Sequence, residues 1–241
     1  MFRLQSNDVL LIPDKPDVER DALAKAWTVH GGEVLRIGKF WIKPEVKGRR
    51  ISLYGYDSFC LVLAQLLDLS PAMVNDAFVA ELDYNFLKRA MKLTSLDQLE
   101  AEDFPTFIKP QVPKSFISQV YGSRESFSTT NPGIGVKEAV IVSEIVEVEK
   151  EVRAFVLNGV VLDLQYYEGT GGLDAPNQFL EAFLQRYSNQ LPITLVVDLG
   201  WNPGKGWFVL EFNNTWGSGL NFCSPEKVIP AIWSAIQRKN Q

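Results

Sequence analysis

The segment Val209–Asn213 places a carboxylate and a carboxamide two positions apart in a run that otherwise has the composition of a buried strand. Because side chains alternate across a strand, Glu211 and Asn213 point to the same face. Their oxygen atoms suit a hard divalent cation such as Mg²⁺, which is usually held by one or two carboxylates and the phosphates of a nucleotide. The segment therefore predicts a metal site, although a strand glutamate that faces water produces the same pattern.

A second apolar run, Leu195–Leu199, contains Asp198 near its end. The residues between the two runs, Gly200–Gly206, include an Asn-Pro-Gly sequence and a further glycine, which favour a turn. We predict a hairpin that brings Asp198 beside Glu211 and adds a second carboxylate to the metal site. The alternative is that Asp198 only caps a turn.

Two lysines supply the positive charge that bound phosphates require. Lys109 ends the apolar run Phe104–Pro110, and Lys114 follows in a segment rich in serine and glycine. A lysine in an apolar strand costs desolvation free energy unless an anion compensates it. The alternative is that both side chains extend to water along the surface.

A third run places Glu151, Arg153 and Phe155 on one strand face. Asn158–Gly159 follows and predicts a type I′ hairpin turn into a strand that begins at Val160. Glu151 and Arg153 are therefore either a polar pair in a site or part of the solvated face of a sheet.

The order of these motifs is similar to that of the ATP-grasp ligases, and more narrowly resembles the clade of that superfamily named for one arginine and two lysines. The similarity extends from about Tyr54 to Leu220 and includes Tyr54–Asp57 and Leu87–Arg89 upstream. The motifs that carry it are Phe107–Pro110 with Lys114–Phe116, Glu151–Phe155, Val197–Gly200, and Val209–Asn213 with Gly217–Leu220.

The resemblance implies an α+β chain with the ATP-grasp fold, in which two antiparallel-sheet lobes enclose Mg-ATP. Residues 1–100 are expected to form an N-terminal α/β pre-ATP-grasp region, and residues 101–241 the nucleotide-binding and catalytic region. The implied reaction joins a small-molecule or peptide carboxylate to an amine or another nucleophile through an acyl phosphate.

The resemblance also assigns roles to individual residues. It implies that Lys109 and Lys114 hold phosphates and that Arg153 stabilises the phosphoryl or acyl-phosphate charge. The backbone of Glu144, Ile145 and Val146 would contact adenine, and Glu151 would lie near the ribose. The implied ligands of one or two Mg²⁺ ions are Asp198, Glu211 and Asn213. Arg153 and Lys114 are the expected catalytic residues.

Composition narrows the remaining function classes. The chain has 24 Lys and Arg against 29 Asp and Glu, and its formal charge of −5 gives no support for a general nucleic-acid surface. The cluster Lys43, Lys47, Arg49 and Arg50 is either a local basic patch or a solvated loop. Two alternatives to the ligase stay open: an RNA-end ligase or repair factor of the same fold, and a non-catalytic nucleotide-binding module.

Two cysteines form no metal or disulfide pattern, which favours a reducing compartment. No run of about 18 apolar residues and no signal pattern occur, so we expect a cytoplasmic protein without a membrane partner. The predicted elements are a strand at Asp8–Pro13, a helix at Asp17–Val29, a strand at Glu33–Ile37, helical segments at Tyr56–Leu67 and Pro71–Leu99, a loop at Tyr121–Val136, and helices at Asn177–Tyr187 and Pro225–Lys239.

Overall fold

A computed structural model describes residues 2–112 and 115–239. The helices are α1 (Val18–Val29), α2 (Asp57–Leu66), α3 (Tyr84–Leu87), α4 (Arg124–Thr130), α5 (Asp174–Tyr187) and α6 (Pro225–Ser234). The strands are β1 (Asp8–Pro13), β2 (Glu33–Ile37), β3 (Arg50–Leu53), β4 (Leu69–Pro71), β5 (Met91–Ser95), β6 (Thr106–Pro110), β7 (Gln119–Tyr121), β8 (Ala139–Ser143), β9 (Lys150–Leu157), β10 (Val160–Glu168), β11 (Thr194–Asn202), β12 (Gly206–Asn213) and β13 (Ile236–Arg238).

The chain forms two compact units that are not continuous in sequence. The first unit contains Met1–Val74, Glu151–Asp198 and Phe212–Gln241, and the second contains Asn75–Lys150 and Leu199–Glu211. The chain passes from one unit to the other within β11 and again within β12.

The first unit begins with the predicted strand, helix and strand, which the structure confirms. β1 pairs in parallel with β2 on one side and with β3 on the other. Asp17 caps α1 by accepting a hydrogen bond of 2.9 Å from the backbone N–H of Arg20. The helix buries Leu23 and Trp27 in a core that it shares with α6.

The hairpin at Asn158–Gly159 is also confirmed. Both residues have positive φ angles, 51° and 73°, as the type I′ turn requires, and Leu157 pairs with Val160 across it. The returning strand β10 extends to Glu168, and the sheet has the order β10-β9-β11-β12. The predicted hairpin partners β11 and β12 are neighbours, joined by a three-residue turn at residues 203–205.

The second unit contains an antiparallel sheet with the order β5-β8-β6-β7. One face of it packs on a core that includes Leu99, Ile108, Phe127 and Val140. This sheet places Lys109 in β6 and the segment Glu144–Val146 directly after β8.

The prediction that Pro71–Leu99 is mainly helical was wrong. Pro71 ends strand β4, and α3 covers only four residues because Lys88 takes a left-handed conformation with φ 52° and ends it. Met91–Ser95 is a strand because it pairs with Ala139–Ser143, a contact distant in sequence that overrides local helix preference.

Two further segments differ from the prediction. The last helix stops at Ser234, and Ile236–Arg238 forms β13, which pairs with β4 and buries Ile236. The predicted loop at Tyr121–Val136 contains α4, because Ser123 caps a helix that Phe127 anchors in the core. Over the residues described, no helix is long and apolar enough to cross a membrane.

Candidate functional site

Arg153 and Asp198 form the centre of a polar cluster in the first unit. The Arg153 Nε and Nη2 atoms donate to the two oxygens of Asp198 at 2.8 and 2.7 Å. Only 11% of the arginine side chain and 2% of the aspartate side chain are exposed. The neighbouring strands β9 and β11 carry the two residues, so the sheet aligns the planar guanidinium with the carboxylate in a bidentate pair.

Asn213 joins this cluster from β12. Its Nδ2 atom donates to Asp198 Oδ2 at 3.0 Å. The Oδ1 atom of the same amide does not take part in this hydrogen bond, and it is the atom that a cation would bind. The structure therefore brings together Arg153, Asp198 and Asn213, three of the residues predicted from sequence.

Glu151 lies two residues before Arg153 on β9, and its carboxylate accepts a hydrogen bond from the hydroxyl of Tyr167. Burial, the charge of Asp198 and this hydrogen bond raise the pKa of Tyr167, so the phenol stays protonated near neutral pH. The Arg153 guanidinium lies 5.7 Å from the Tyr167 ring centroid. Sequence reasoning missed Tyr167, because nothing local distinguishes it from Tyr166.

A turn at Ser218–Asn221 closes the cluster. Arg153 Nη1 donates to the Gly219 carbonyl at 3.0 Å, and the Tyr54 hydroxyl donates to the Ser218 carbonyl at 2.7 Å. The carboxylate of Glu19 accepts from the backbone N–H groups of Leu220 and Asn221 at 2.9 and 2.8 Å. This role of Glu19 was also missed, since only the tertiary structure brings helix α1 to this turn.

Lys109 and Glu211 form an ion pair within the second unit, with 3.5 Å between Nζ and Oε2. The lysine side chain is 18% exposed, whereas the glutamate side chain is 44% exposed. The carboxylate of Glu211 is thus an anion that compensates the partly buried lysine, as the desolvation argument required. This ion pair disagrees with the alternative in which the Lys109 side chain extends to water without a charged partner.

Arg89 is buried and supports the strand that carries Glu211. Its guanidinium donates to the carbonyls of Leu87, Val209 and Leu210 at 3.0, 2.7 and 3.1 Å. Burial lowers the pKa of Arg89 to about 10, and the nearby charge of Glu144 opposes that shift. The sequence motif at Leu87–Arg89 was noted without a role, and the structure assigns Arg89 to positioning β12.

Glu144 begins the segment predicted to meet adenine. Its carboxylate accepts from Lys205 Nζ at 3.0 Å and from the Ala90 N–H at 3.1 Å, and these hydrogen bonds, with that from Lys205 the larger, lower the pKa of Glu144. Its backbone N–H donates to the Ala90 carbonyl at 2.9 Å. The side chain of Ile145 is exposed, so the segment begins from an anchored residue and then extends outward.

The remaining predicted residue, Lys114, lies outside the described residues. Within the described part of the chain, no group of three or more His, Cys, Asp or Glu side chains is arranged to hold a metal ion. The predicted metal ligands, Asp198, Glu211 and Asn213, do not form such a group, because one of the three is an asparagine.

The fold is similar to that of solved ATP-grasp proteins. The RimK domain protein of ATP-grasp type from Sphaerobacter thermophilus DSM 20745 superposes with a TM-score of 0.62 at 13% identity, over 93% of this chain and 99% of that one. The D-alanine–D-alanine ligase from Bacillus anthracis gives 0.58 at 12% identity, over 95% and 96% of the two chains. The macrocyclase MdnC from Microcystis aeruginosa MRC, bound with precursor peptide MdnA, gives 0.54 at 11% identity, over 96% and 98%.

A comparison with curated proteins finds no similar sequence. A comparison with family models, by contrast, shows the family. The matching family model describes an ATP-grasp domain, family 2 of the clade named for one arginine and two lysines. It matches residues 86–231, which is more than half of the chain and includes Arg153, Asp198, Glu211 and Asn213. The chain therefore belongs to the one-arginine, two-lysine clade of the ATP-grasp family of ATP-dependent ligases.

Proposed function

We propose that the protein uses Mg-ATP to activate a carboxylate as an acyl phosphate and to join it to an amine or another nucleophile. The observation that carries this proposal is the family match over residues 86–231, which contains the Arg153–Asp198–Asn213 cluster. The division into a pre-ATP-grasp region, residues 1–100, and an ATP-grasp region, residues 101–241, is part of the proposal.

The chemistry of the candidate donor atoms suits a magnesium ion. Asp198 and Glu211 supply carboxylate oxygens and Asn213 an amide oxygen, which are the hard donors that Mg²⁺ prefers. When bound, Mg²⁺ would neutralise charge on the phosphate oxygens during transfer. The hydrogen bond from Asn213 to Asp198 holds two of these donors together within the first unit.

The remaining roles follow the charges and positions of the side chains. Lys109, largely buried and paired with the carboxylate of Glu211, is suited to hold a phosphate. The fork of Arg153 is suited to orient a charged oxygen group, because a guanidinium offers more donors than the bidentate pair with Asp198 uses. We assign Lys114 to the phosphates, the backbone of Glu144, Ile145 and Val146 to adenine, and Glu151 to the ribose.

The substrate class we propose is a small-molecule or peptide carboxylate. Two proteins with the same fold are described as a D-alanine–D-alanine ligase and as a macrocyclase bound with a precursor peptide. The first description supports a small-molecule substrate and the second a peptide substrate. No feature of the described residues favours nucleic acid as the acceptor in this cluster.

Hydroxylamine tests this function without knowledge of the natural acceptor, because it captures an acyl phosphate as a hydroxamate. Pools of amino acids, other small acids and acidic peptides are incubated with Mg-ATP and hydroxylamine. We expect one pool to give hydroxamate with equal release of ADP and phosphate, and Glu211→Gln to give much less.

Release of AMP instead of ADP would indicate nucleotidyl transfer and overturn the acyl-phosphate mechanism. ATP binding with no nucleotide turnover in any pool would favour the non-catalytic nucleotide-binding module. Glu102→Gln is the matched control, since it removes the same charge at an exposed glutamate of the second unit.

A further inference from the structure

A basic groove in the first unit is distinct from the residues assigned to ligation. It consists of two adjoining cavities of about 540 and about 600 Å³. Both cavities are lined by Gly48, Arg49, Ile51, Leu69 and Arg238. Of the residues assigned to nucleotide, metal or phosphate, those that the structure describes line neither cavity.

The charge of this groove is opposite to that of the whole chain. Its acidic lining residues are Glu45 and Asp68, whereas the chain as a whole carries a formal charge of −5. The cationic lining residues are Lys43, Lys47, Arg238 and Lys239, together with Arg49, which pairs with Glu33, and Arg50, whose Nε lies 3.9 Å from an oxygen of Asp8. A local excess of cations on an acidic protein attracts an anionic partner to one place on its surface.

Some of these cations are held in position by other groups, and others are exposed. The Arg50 guanidinium stacks on the Trp233 ring, 3.4 Å from its centroid, and donates to the Trp233 carbonyl at 3.3 Å. Arg238 donates to the Arg49 carbonyl at 2.8 Å. Lys47 is exposed at the rim. Fixed arginines beside exposed lysines suit a partner that presents several carboxylates along its length.

The backbone around the groove favours an extended partner. The strand β3 is an outer strand, that is, an edge strand, of the sheet β2-β1-β3. Both β13 and β4 are edge strands of their two-stranded sheet. Residues of β3 and β13 line the first cavity, and buried Ile51 and Ile236 contribute apolar surface to it. Outer strands bind extended peptides through main-chain hydrogen bonds, while alternate side chains provide specificity.

Nucleic acid fits the same groove less well. Proteins that bind single strands combine a cationic groove with aromatic side chains on which bases stack. The aromatic residue among the described lining residues is Trp233. One face of its ring is covered by Arg50, and Phe2 packs against it edge to face with centroids 5.5 Å apart. The groove thus has the charge for phosphates but lacks a stacking platform.

We propose that this basic groove binds an acidic, extended peptide segment of a partner protein. The proposal does not depend on the ligase reaction, and binding is measured on the full chain without nucleotide. The probe is a fluorescein-labelled peptide that alternates glutamate with valine, read by fluorescence anisotropy. A labelled oligothymidylate and a peptide that alternates lysine with valine are compared under the same conditions.

The decisive variant reverses two exposed charges of the groove, Lys47→Glu with Arg238→Glu. The matched control, Lys25→Glu with Lys137→Glu, makes the same change in net charge at exposed positions outside the groove. We expect the acidic peptide to bind the wild type more tightly than either comparison probe, with affinity that decreases as salt is added. The groove variant should bind the acidic peptide on the order of tenfold more weakly, and the control as the wild type does.

Three outcomes would overturn the proposal: no binding of the acidic peptide, equal weakening by both double variants, or preference for oligothymidylate that the groove variant abolishes. Thermal unfolding of each variant checks that it is folded. If the charge reversal unfolds the protein, Lys47→Gln with Lys239→Gln replaces it and Lys25→Gln with Lys137→Gln is its control, since all four side chains are exposed.

Discussion

The guanidinium of Arg153 and the carboxylate of Asp198 meet through two parallel hydrogen bonds of 2.8 and 2.7 Å, and both side chains are largely buried. Sequence reasoning assigned these residues to separate tasks, one to phosphoryl charge and the other to metal. In the structure the two residues are hydrogen-bonded to each other. We therefore expect a change at either residue to lower the stability of the protein as well as the proposed ligase activity.

Replacing Arg153 with lysine is expected to reduce hydroxamate formation on the order of tenfold, because lysine keeps the charge but loses the planar fork. The loss of fork geometry beside a buried carboxylate should also lower the free energy of unfolding by about 1–3 kcal/mol. The structure thus adds a stability cost that the sequence alone did not indicate. Urea unfolding and the hydroxamate assay measure the two effects.

Asp198→Asn completes a double-mutant cycle with Arg153→Lys. Because the residues contact each other directly, their effects on the free energy of unfolding should not be additive. Arg36→Lys is the control, since Arg36 pairs with Asp21 on the surface, and its effect should be much smaller. Additive effects at positions 153 and 198 would show that the pair is not coupled.

Glu211→Gln and Lys109→Met distinguish the contribution of metal binding to thermal stability from the contribution of phosphate binding. A ligand that binds only the folded state stabilises it, by about 2.7 kcal/mol at a concentration 100 times its Kd. We expect Glu211→Gln to remove most of the difference in melting temperature between ATP with Mg²⁺ and ATP with a chelator. Lys109→Met should reduce the shift under both conditions.

Lys92→Met serves as the control for the lost lysine charge and should shift as the wild type does. Absence of any Mg-ATP shift in the wild-type protein would contradict the proposed nucleotide site. Equal, negligible effects at Lys109 and Lys92 would assign Lys109 a structural role only.

Gly219→Ala should destabilise the turn beside Arg153. A methyl group at this position would lie 2.6 Å from the Oε2 atom of Glu19, so this oxygen must shift, which disturbs its hydrogen bond with the Leu220 N–H. We expect a loss of about 1–3 kcal/mol in the free energy of unfolding, the cost of unsatisfied donors. Gly172→Ala, which would meet no atom within 4 Å, should have little effect, and equal effects would contradict this explanation.

Arg89→Met should be among the most destabilising single changes in the second unit. It removes the donors to three carbonyls, two of which belong to β12 residues immediately before Glu211. We expect a loss of about 2–5 kcal/mol, because buried acceptors are left without partners. A decrease of less than about 0.5 kcal/mol in urea unfolding, the range of ordinary surface changes, would show that water replaces the guanidinium at no cost.

Cys223 should resist alkylation in the folded protein. Burial, followed by the charge of Asp163, raises the pKa of its thiol to about 12, so little thiolate exists near neutral pH. The pKa in the folded state is raised, so the associated stability is present below about pH 8.5, the unfolded value, and is lost as pH increases toward 12. Mass spectrometry after iodoacetamide treatment should find label at Cys223 only in denaturant, and rapid native labelling would contradict the burial.

Local sequence was sufficient wherever neighbouring residues determine the backbone. Asp17 predicted the start of α1 because its side chain caps a residue three positions away, and Asn158–Gly159 predicted its turn because both residues tolerate positive φ. The order of the Lys109, Arg153, Asp198 and Glu211 motifs similarly indicated the family, since each motif is a short strand whose alternation is visible in the sequence.

The tertiary structure decided everything that depends on which strand or side chain lies opposite. Met91–Ser95 is a strand because of its pairing with Ala139–Ser143, and Glu19 caps backbone N–H groups that lie 201 and 202 positions away in sequence. The composition of the chain shows which charges and apolar residues must find partners. The partners themselves, such as Asp198 for Arg153, follow only from long-range packing, because desolvation makes an unpaired buried charge too costly to keep.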